Sequence, residues 1–251
     1  MLVKPERLAS VLARPAPPAF FLVWGEEPLQ RMESVDAIRA AVRAAGVDER
    51  LVFDAAVGLD WAAIEAEAGS LSLFASKRLI EIHLGAKKPD KQGVATLKKL
   101  TALAGEDAWL VTADALGREE QASDWYRAID GRGAVVACRL LEGQAFRDWL
   151  AARAQARGRR LAPEAVEVLA LRAEGNLLAA AQEVDKLVLL VDTPTVEAEQ
   201  ALAAVADSTR YDQFKLVDAA LAGEAPRTLL RIPRIPAEGV VPVLLSWLGI
   251  R

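Results

Sequence analysis

The first half of the chain alternates short apolar runs with segments of helical periodicity. The apolar runs are rich in β-branched and aromatic side chains, a pattern typical of buried parallel strands. They cover residues 19–24, 51–53, 79–84, 109–112 and 134–138. Amphipathic segments lie between them, and we predict helices that begin near Pro28, Trp61, Val94 and Ser123. Strands that alternate with helices predict a three-layer α/β domain with a mostly parallel sheet, which we assign to residues 1–142.

The second half changes to a helical period. Apolar side chains recur three and four residues apart along four consecutive segments. These segments are residues 146–153, 166–173, 177–191 and 196–205. Gly158 ends the first of the predicted helices and Pro163 begins the second. We therefore predict a small helical domain at residues 143–206.

Residues 70–76 place large apolar side chains among serines. Leu71, Leu73 and Phe74 follow a predicted helix that ends near Gly69, and a predicted strand comes next. Loops lie at the surface and carry recognition, so these side chains are candidates for insertion into a pocket of another protein. The alternative is that Leu73 and Phe74 turn inward and join the core.

Composition excludes several classes of function. The 251 residues are 53% apolar, and a net charge of −4 gives no bulk attraction to nucleic-acid phosphates. A single cysteine, Cys138, and a single histidine, His83, leave little material for zinc binding or Cys/His catalysis. We predict that Cys138 is buried and that His83 faces solvent or a neighbouring strand. The sequence carries no apolar run of roughly 18 residues and no signal-peptide pattern, so we expect a cytoplasmic protein without membrane association.

The turn after the first long apolar run lacks the residues of a nucleotide-binding loop. Such a loop has the pattern G-x-x-x-x-G-K-[ST], in which backbone amides and the lysine hold the phosphates. Residues 25–32 are G-E-E-P-L-Q-R-M, and Glu26 and Glu27 would place negative charge where a triphosphate binds. Asp114 follows a predicted strand as a magnesium-binding acid would, but no second acid follows it. We predict an ATPase-like fold without ATP chemistry, with no cofactor and no metal.

Several strings of the sequence resemble one protein family. Leu71-Ser72-Leu73-Phe74 resembles the Q-L-x-L-F peptide by which bacterial proteins bind the sliding clamp, with Ser70 in place of the glutamine. The longer string S-L-F-A-S-K-R-L-I-E-I is similar to the clamp-contacting segment of the delta subunit of the bacterial DNA polymerase III clamp loader. Further strings similar to this family lie at residues 174–187 and 206–219. The chain is thereby identified as a member of the family over almost its whole length.

The resemblance implies a site for clamp binding. Leu73 and Phe74 would form a hydrophobic wedge, with Leu71 as a secondary anchor, that binds the sliding clamp and traps it open. Two buried side chains would not suffice to open a stable ring, so we expect further contacts from the neighbouring helix and strand, with Lys77 and Arg78 as candidates. ATP would be hydrolysed by other subunits, so no catalysis is expected of this chain itself.

The resemblance also implies an architecture and an assembly. The α/β domain would be AAA+-like, residues 143–206 would form a lid domain, and residues 207–251 would begin a helical collar that is truncated relative to the family. The implied partners are the sliding clamp and clamp-loader subunits of the gamma/tau and delta-prime type, with DNA contacted only within the assembly. The chain would thus serve DNA replication as part of DNA polymerase III, a DNA-directed DNA polymerase whose nucleotidyltransferase activity resides in another subunit.

Two other functions stay open. An active AAA+ ATPase of the same architecture would need phosphate ligands that residues 25–32 lack. A DNA-binding module would use a cluster of arginines at a helix end, and the acidic net charge favours a solvated surface for that cluster. The arginines are Arg153, Arg157, Arg159 and Arg160.

Overall fold

In a computed structural model the chain divides into two compact units, of which the first is Met1–Leu140 and the second begins at Leu141. The structure describes residues 1–47, 49–69, 77–103, 107–173 and 175–206. The segment at 70–76 and the collar predicted at 207–251 lie outside these ranges.

Within the described part of the first unit, six strands form one parallel sheet. The strands are β1 (Leu2–Val3), β2 (Phe20–Trp24), β3 (Glu49–Asp54), β4 (Arg78–Gly85), β5 (Ala108–Ala113) and β6 (Ala134–Ala137). Their order across the sheet is β1-β6-β2-β5-β4-β3, which places β3 at one edge. The five predicted strands are confirmed as β2 to β6, with ends that differ by one or two residues. The sequence pattern missed β1, because two residues are too few to show a period.

Helices cover both faces of this sheet. They are α1 (Leu8–Leu12), α2 (Pro28–Ala44), α3 (Trp61–Gly69), α4 (Lys91–Ala102), α5 (Arg118–Gln121) and α6 (Asp124–Arg132). Along β2, Leu22 joins a core with side chains of α3, α4 and α6, whereas Val23 joins a second core with α1 and α2. Because both faces of β2 are buried, every residue of that strand is apolar. This confirms the predicted three-layer arrangement.

The second unit is mainly helical in its described residues. Its elements are α7 (Gly143–Ala156), β7 (Arg160–Leu161), α8 (Pro163–Ala173), α9 (Leu177–Leu190), β8 (Thr195–Val196) and α10 (Ala198–Ala206). The prediction of a helix from residue 196 was wrong at its start. Val196 instead pairs with Leu161, and β7 and β8 form a short parallel ladder. A pairing between two distant dipeptides leaves no periodic signal in the sequence.

Candidate functional site

The candidate site residues Leu71, Leu73 and Phe74 lie outside the described residues, whereas both flanks of their segment are described. The preceding flank is α3 and the following flank is Lys77 with β4. These two elements hold the residues that border the segment on each side.

Helix α3 is fixed at its start and along one face. The carboxylate of Asp60 accepts hydrogen bonds from the backbone N–H groups of Ala62 and Ala63, both at 3.0 Å, which caps the helix. Trp61 and Ile64 are buried in the core that also contains Leu97 of α4. Apolar burial of this kind stabilises a short helix that would be marginal in isolation.

Arg78 is buried at the first position of β4 and faces the protein interior. Its guanidinium pairs with the carboxylate of Glu67 in α3 and with Asp107 at 2.7 Å. The hydrogen bond that Arg78 donates to Asp107 raises the pKa of Arg78 above its ordinary value. The guanidinium is positively charged at any physiological pH. Only 4% of the Arg78 side chain is exposed, so it offers little surface for the clamp contacts that we considered for it. Lys77 stays a candidate for such contacts.

The turn between β2 and α2 is held by backbone carbonyls of Asp114, which follows β5, and Cys138, which follows β6. Gly25 has φ +143°, and a Cβ at this position would lie 1.8 Å from the carbonyl oxygen of Cys138. The Gly25 N–H donates to the carbonyl of Asp114 at 3.1 Å, and the Glu27 N–H donates to the carbonyl of Cys138 at 3.2 Å. These amides, which would face a phosphate in a nucleotide-binding loop, are hydrogen-bonded within the protein.

A carboxylate of the chain itself occupies the N-terminus of α2. The side chain of Glu27 is 3% exposed and accepts the N–H of Gln30 at 2.5 Å, so it caps the helix. A helix N-terminus favours negative charge, and here Glu27 supplies it. Arg31, one turn further along α2, forms an ion pair with Asp114. At the N-terminus of α2, where a phosphate would bind in a nucleotide-binding loop, the structure thus places the carboxylate of Glu27.

Cys138 follows β6 and is fully buried, as predicted. Burial raises the pKa of its thiol to about 12. Only the thiolate is an effective nucleophile, so this side chain is chemically inert at neutral pH.

A buried ion cluster lies between α2, β3 and β4, and no pattern in the sequence indicated it. Glu81 of β4 is fully buried and accepts two hydrogen bonds from Arg39, at 2.8 and 2.7 Å, and two from Arg50, at 2.7 and 2.9 Å. His83 Nε2 lies 3.0 Å from the same carboxylate, and its ring lies beside Asp54 of the neighbouring strand, as predicted. Burial alone would raise the pKa of Glu81. The hydrogen bonds from Arg39, His83 and Arg50 have a larger effect in the opposite direction, so the pKa of Glu81 lies far below its usual range.

The arginine cluster of the second unit is largely engaged within that unit. Arg153 lies 5.2 Å from the ring centre of Trp149, and Arg157 pairs with Asp185 at 2.8 Å. Arg159 donates to the carbonyl of Val191 at 2.9 Å. Guanidinium groups held in this way are less available to phosphates than free ones, so these contacts do not favour the DNA-binding alternative.

The described residues form neither a metal site nor a membrane span. No group of three or more His, Cys, Asp or Glu side chains is arranged to hold a metal ion in the ranges that the structure describes. Among the helices within those ranges, none is long and apolar enough to cross a membrane.

The sequence matches known proteins of one kind. Residues 21–139 match the family described as DNA polymerase III, delta subunit. The chain is 32% identical over 228 residues to DNA polymerase III subunit delta of Escherichia coli K12, covering 90% of this chain and 66% of that protein. It is 26% identical over 245 residues to the same subunit of Haemophilus influenzae, covering 95% of this chain and 69% of that protein. The chain thus spans about two thirds of the length of these relatives.

A solved structure shares the fold. The DNA clamp loader delta protein of Bacillus subtilis matches with a TM-score of 0.67 and 18% sequence identity, covering 91% of this chain and 70% of that one. At this identity the likeness concerns the fold alone. It confirms the predicted class at the level of the fold, an α/β domain with a parallel sheet followed by a mainly helical unit.

Proposed function

The chain belongs to the family of DNA polymerase III delta subunits, and on that premise we propose that it binds the sliding clamp and opens it through a hydrophobic wedge. The wedge consists of Leu73 and Phe74, with Leu71 as a secondary anchor. The observation that carries the proposal is the family match over residues 21–139, since it includes the segment that resembles a clamp-binding peptide. Within the proposal, the AAA+-like domain at residues 1–142 carries the wedge, and a lid at 143–206 and a collar from 207 follow it.

The flanks support this role for residues 70–76. The segment is preceded by a capped helix with a buried face and followed by a strand inside the sheet, so both of its anchors are rigid elements. Burying a leucine and a phenylalanine contributes roughly 3–6 kcal/mol by transfer from water, and part of this is lost to association costs. Two such side chains are enough to anchor a complex. Opening a ring also requires that the chain bind the open form better than the closed one.

The turn at residues 25–32 supports a role without nucleotide hydrolysis. Glu27 caps α2 with a buried carboxylate, and no lysine stands in the turn to reach outer phosphates. ATP hydrolysis then belongs to other subunits of the assembly. In this proposal the chain works in the cytoplasm with subunits of the gamma/tau and delta-prime type, and it meets DNA only within that assembly.

The test is a calorimetric titration of the full chain with its cognate sliding clamp. The variant Leu73→Ala/Phe74→Ala should lose clamp binding while its melting temperature stays close to that of the wild type. Retained affinity would reject the wedge. A collapsed melting temperature would favour the alternative in which both side chains are part of the core. Val57→Ala is a matched control, because Val57 is a large apolar residue that is 88% exposed elsewhere in the first unit.

A further inference from the structure

Arg78 connects three elements at the place where the clamp-binding segment rejoins the sheet. It is the first residue of β4, and its guanidinium reaches Glu67 in the last turn of α3 and Asp107, the residue that precedes β5. The contacts with Asp107 are a 2.7 Å hydrogen bond from Nη2 and a 3.0 Å hydrogen bond from the Arg78 backbone N–H. The side chain and the main chain of Arg78 are therefore held by the same carboxylate.

The contact with α3 includes the end of the helix backbone. Nη2 of Arg78 donates to the carbonyl oxygen of Glu67 at 3.1 Å, in addition to the ion pair with the Glu67 carboxylate. The last carbonyls of a helix have no partner within the helix, and they attract positive charge. Arg78 thus acts as the cap of α3 from a position beyond the segment that follows α3.

A buried cation in this position calls for a specific reason. Burying an ion pair carries a desolvation penalty, so packed apolar residues often stabilise a fold as well or better. The planar guanidinium offers several N–H donors in a fixed arrangement, and one side chain can therefore hold two carboxylates and a carbonyl at once. An apolar residue has no donors, and a lysine side chain has a single nitrogen atom, whereas Arg78 reaches the two carboxylates from separate nitrogens.

We propose that Arg78 is a positioning residue, which ties the end of α3 to the start of β4 and so fixes the two anchor points of the clamp-binding segment. This inference rests on the proposed function. A segment with fixed ends loses less conformational freedom when it binds, so the affinity for the clamp is higher.

The test compares two variants with the wild type in the same calorimetric titration of the full chain. Arg78→Lys keeps the positive charge but removes the separate guanidinium nitrogens that hydrogen-bond to Glu67 and Asp107. Glu67→Gln weakens only the connection to α3 and leaves the pair of Arg78 with Asp107 intact. Both should weaken clamp binding on the order of tenfold at a temperature well below melting. Amide hydrogen exchange should become faster at residues 64–69.

A matched control separates positioning from general stability. Val136 is fully buried in the core on the other face of the sheet from α3. Val136→Ala should lower the melting temperature while clamp affinity stays within about twofold of the wild type, since it does not touch the anchor points. If Arg78→Lys fails to fold, Glu67→Gln alone decides the question.

The outcomes distinguish this inference from the proposed function. The positioning role is overturned if Arg78→Lys and Glu67→Gln bind the clamp with wild-type affinity while Leu73→Ala/Phe74→Ala does not bind. The proposed wedge is retained in that case. The positioning role is also overturned if Arg78→Lys and Glu67→Gln lose no more clamp affinity than Val136→Ala does when the loss of stability is equal. If Leu73→Ala/Phe74→Ala binds like the wild type, the proposed function and the positioning role are both rejected.

Discussion

The indole ring of Trp61 in α3 lies directly on Gly93 of α4, so closely that a Cβ on Gly93 would come within 2.5 Å of two ring carbons. Trp61 is buried there, which leaves the ring little room to move aside. The absence of a side chain at residue 93 therefore sets how closely α3 packs on α4. Since α3 leads into residues 70–76, this contact also fixes the position of the helix that precedes them.

Gly93→Ala should destabilise the first unit despite the higher helix propensity of alanine. The propensity gain is up to about 1 kcal/mol, whereas forcing a methyl group into a packed core costs about 1–3 kcal/mol, so we expect a net loss of about 1–2 kcal/mol. Denaturant unfolding of the full chain measures the change. Gly131→Ala is the matched control, because Gly131 lies in α6 and a methyl group there would meet no atom within 4 Å. It should leave stability unchanged or raise it, and equal losses in both variants would contradict the packing argument.

Removing the charge of Glu81 should destabilise the chain strongly. Glu81→Gln removes the fully buried carboxylate that Arg39 and Arg50 share. Because these arginines are 28% and 47% exposed and stay partly hydrated, we expect a loss of about 1–3 kcal/mol. Asp36→Asn is the control, since Asp36 contacts the same Arg39 but is 63% exposed, and it should change stability by no more than about 0.5 kcal/mol. Both values come from unfolding in denaturant at pH 7. Similar small effects in both variants would show that the cluster adds nothing.

The contribution of Glu81 should depend on pH in one direction. Its pKa is lower in the folded chain than the ordinary value of 4.5, so its stabilising effect is fully present above pH 4.5. Protonation removes that effect as the pH falls below this value. The difference in unfolding free energy between wild type and Glu81→Gln should therefore shrink as the pH falls below about 4.5. A difference that grows in acid would contradict the assignment.

Glu27 should matter for stability and not for nucleotide binding. Glu27→Ala removes the cap of α2 and should cost about 1–2 kcal/mol, whereas Glu26→Ala, at the exposed neighbouring position, should change stability by less than about 0.5 kcal/mol. Neither the wild type nor either variant should retain labelled ATP in a filter assay, because the turn contains no lysine or second glycine. Saturable ATP binding by the wild type would instead support the active ATPase.

Local chemistry made part of the fold predictable. The five apolar runs became β2 to β6 because strands buried on both faces admit few polar residues, and that restriction is visible in any single segment. Pro28 marked the start of α2 because its ring suits the first turn of a helix. The turn at residues 25–32 was predictable too, since a missing lysine cannot be supplied by folding. Dipeptide strands such as β1 and β7 were not, because their pairing depends on distant partners.

The sequence by itself determined the layered α/β class, the helical second half, the lack of phosphate ligands and the family to which the chain belongs. Only the tertiary structure decided where the charged side chains go. Arg78 faces inward because Glu67 and Asp107, 11 and 29 residues away along the chain, meet it there. Glu81 is buried because the sheet order brings Arg50 of the edge strand and Arg39 of α2 to the same place. A charge enters the interior only with a partner, and the partner is chosen by the fold rather than by neighbours in sequence.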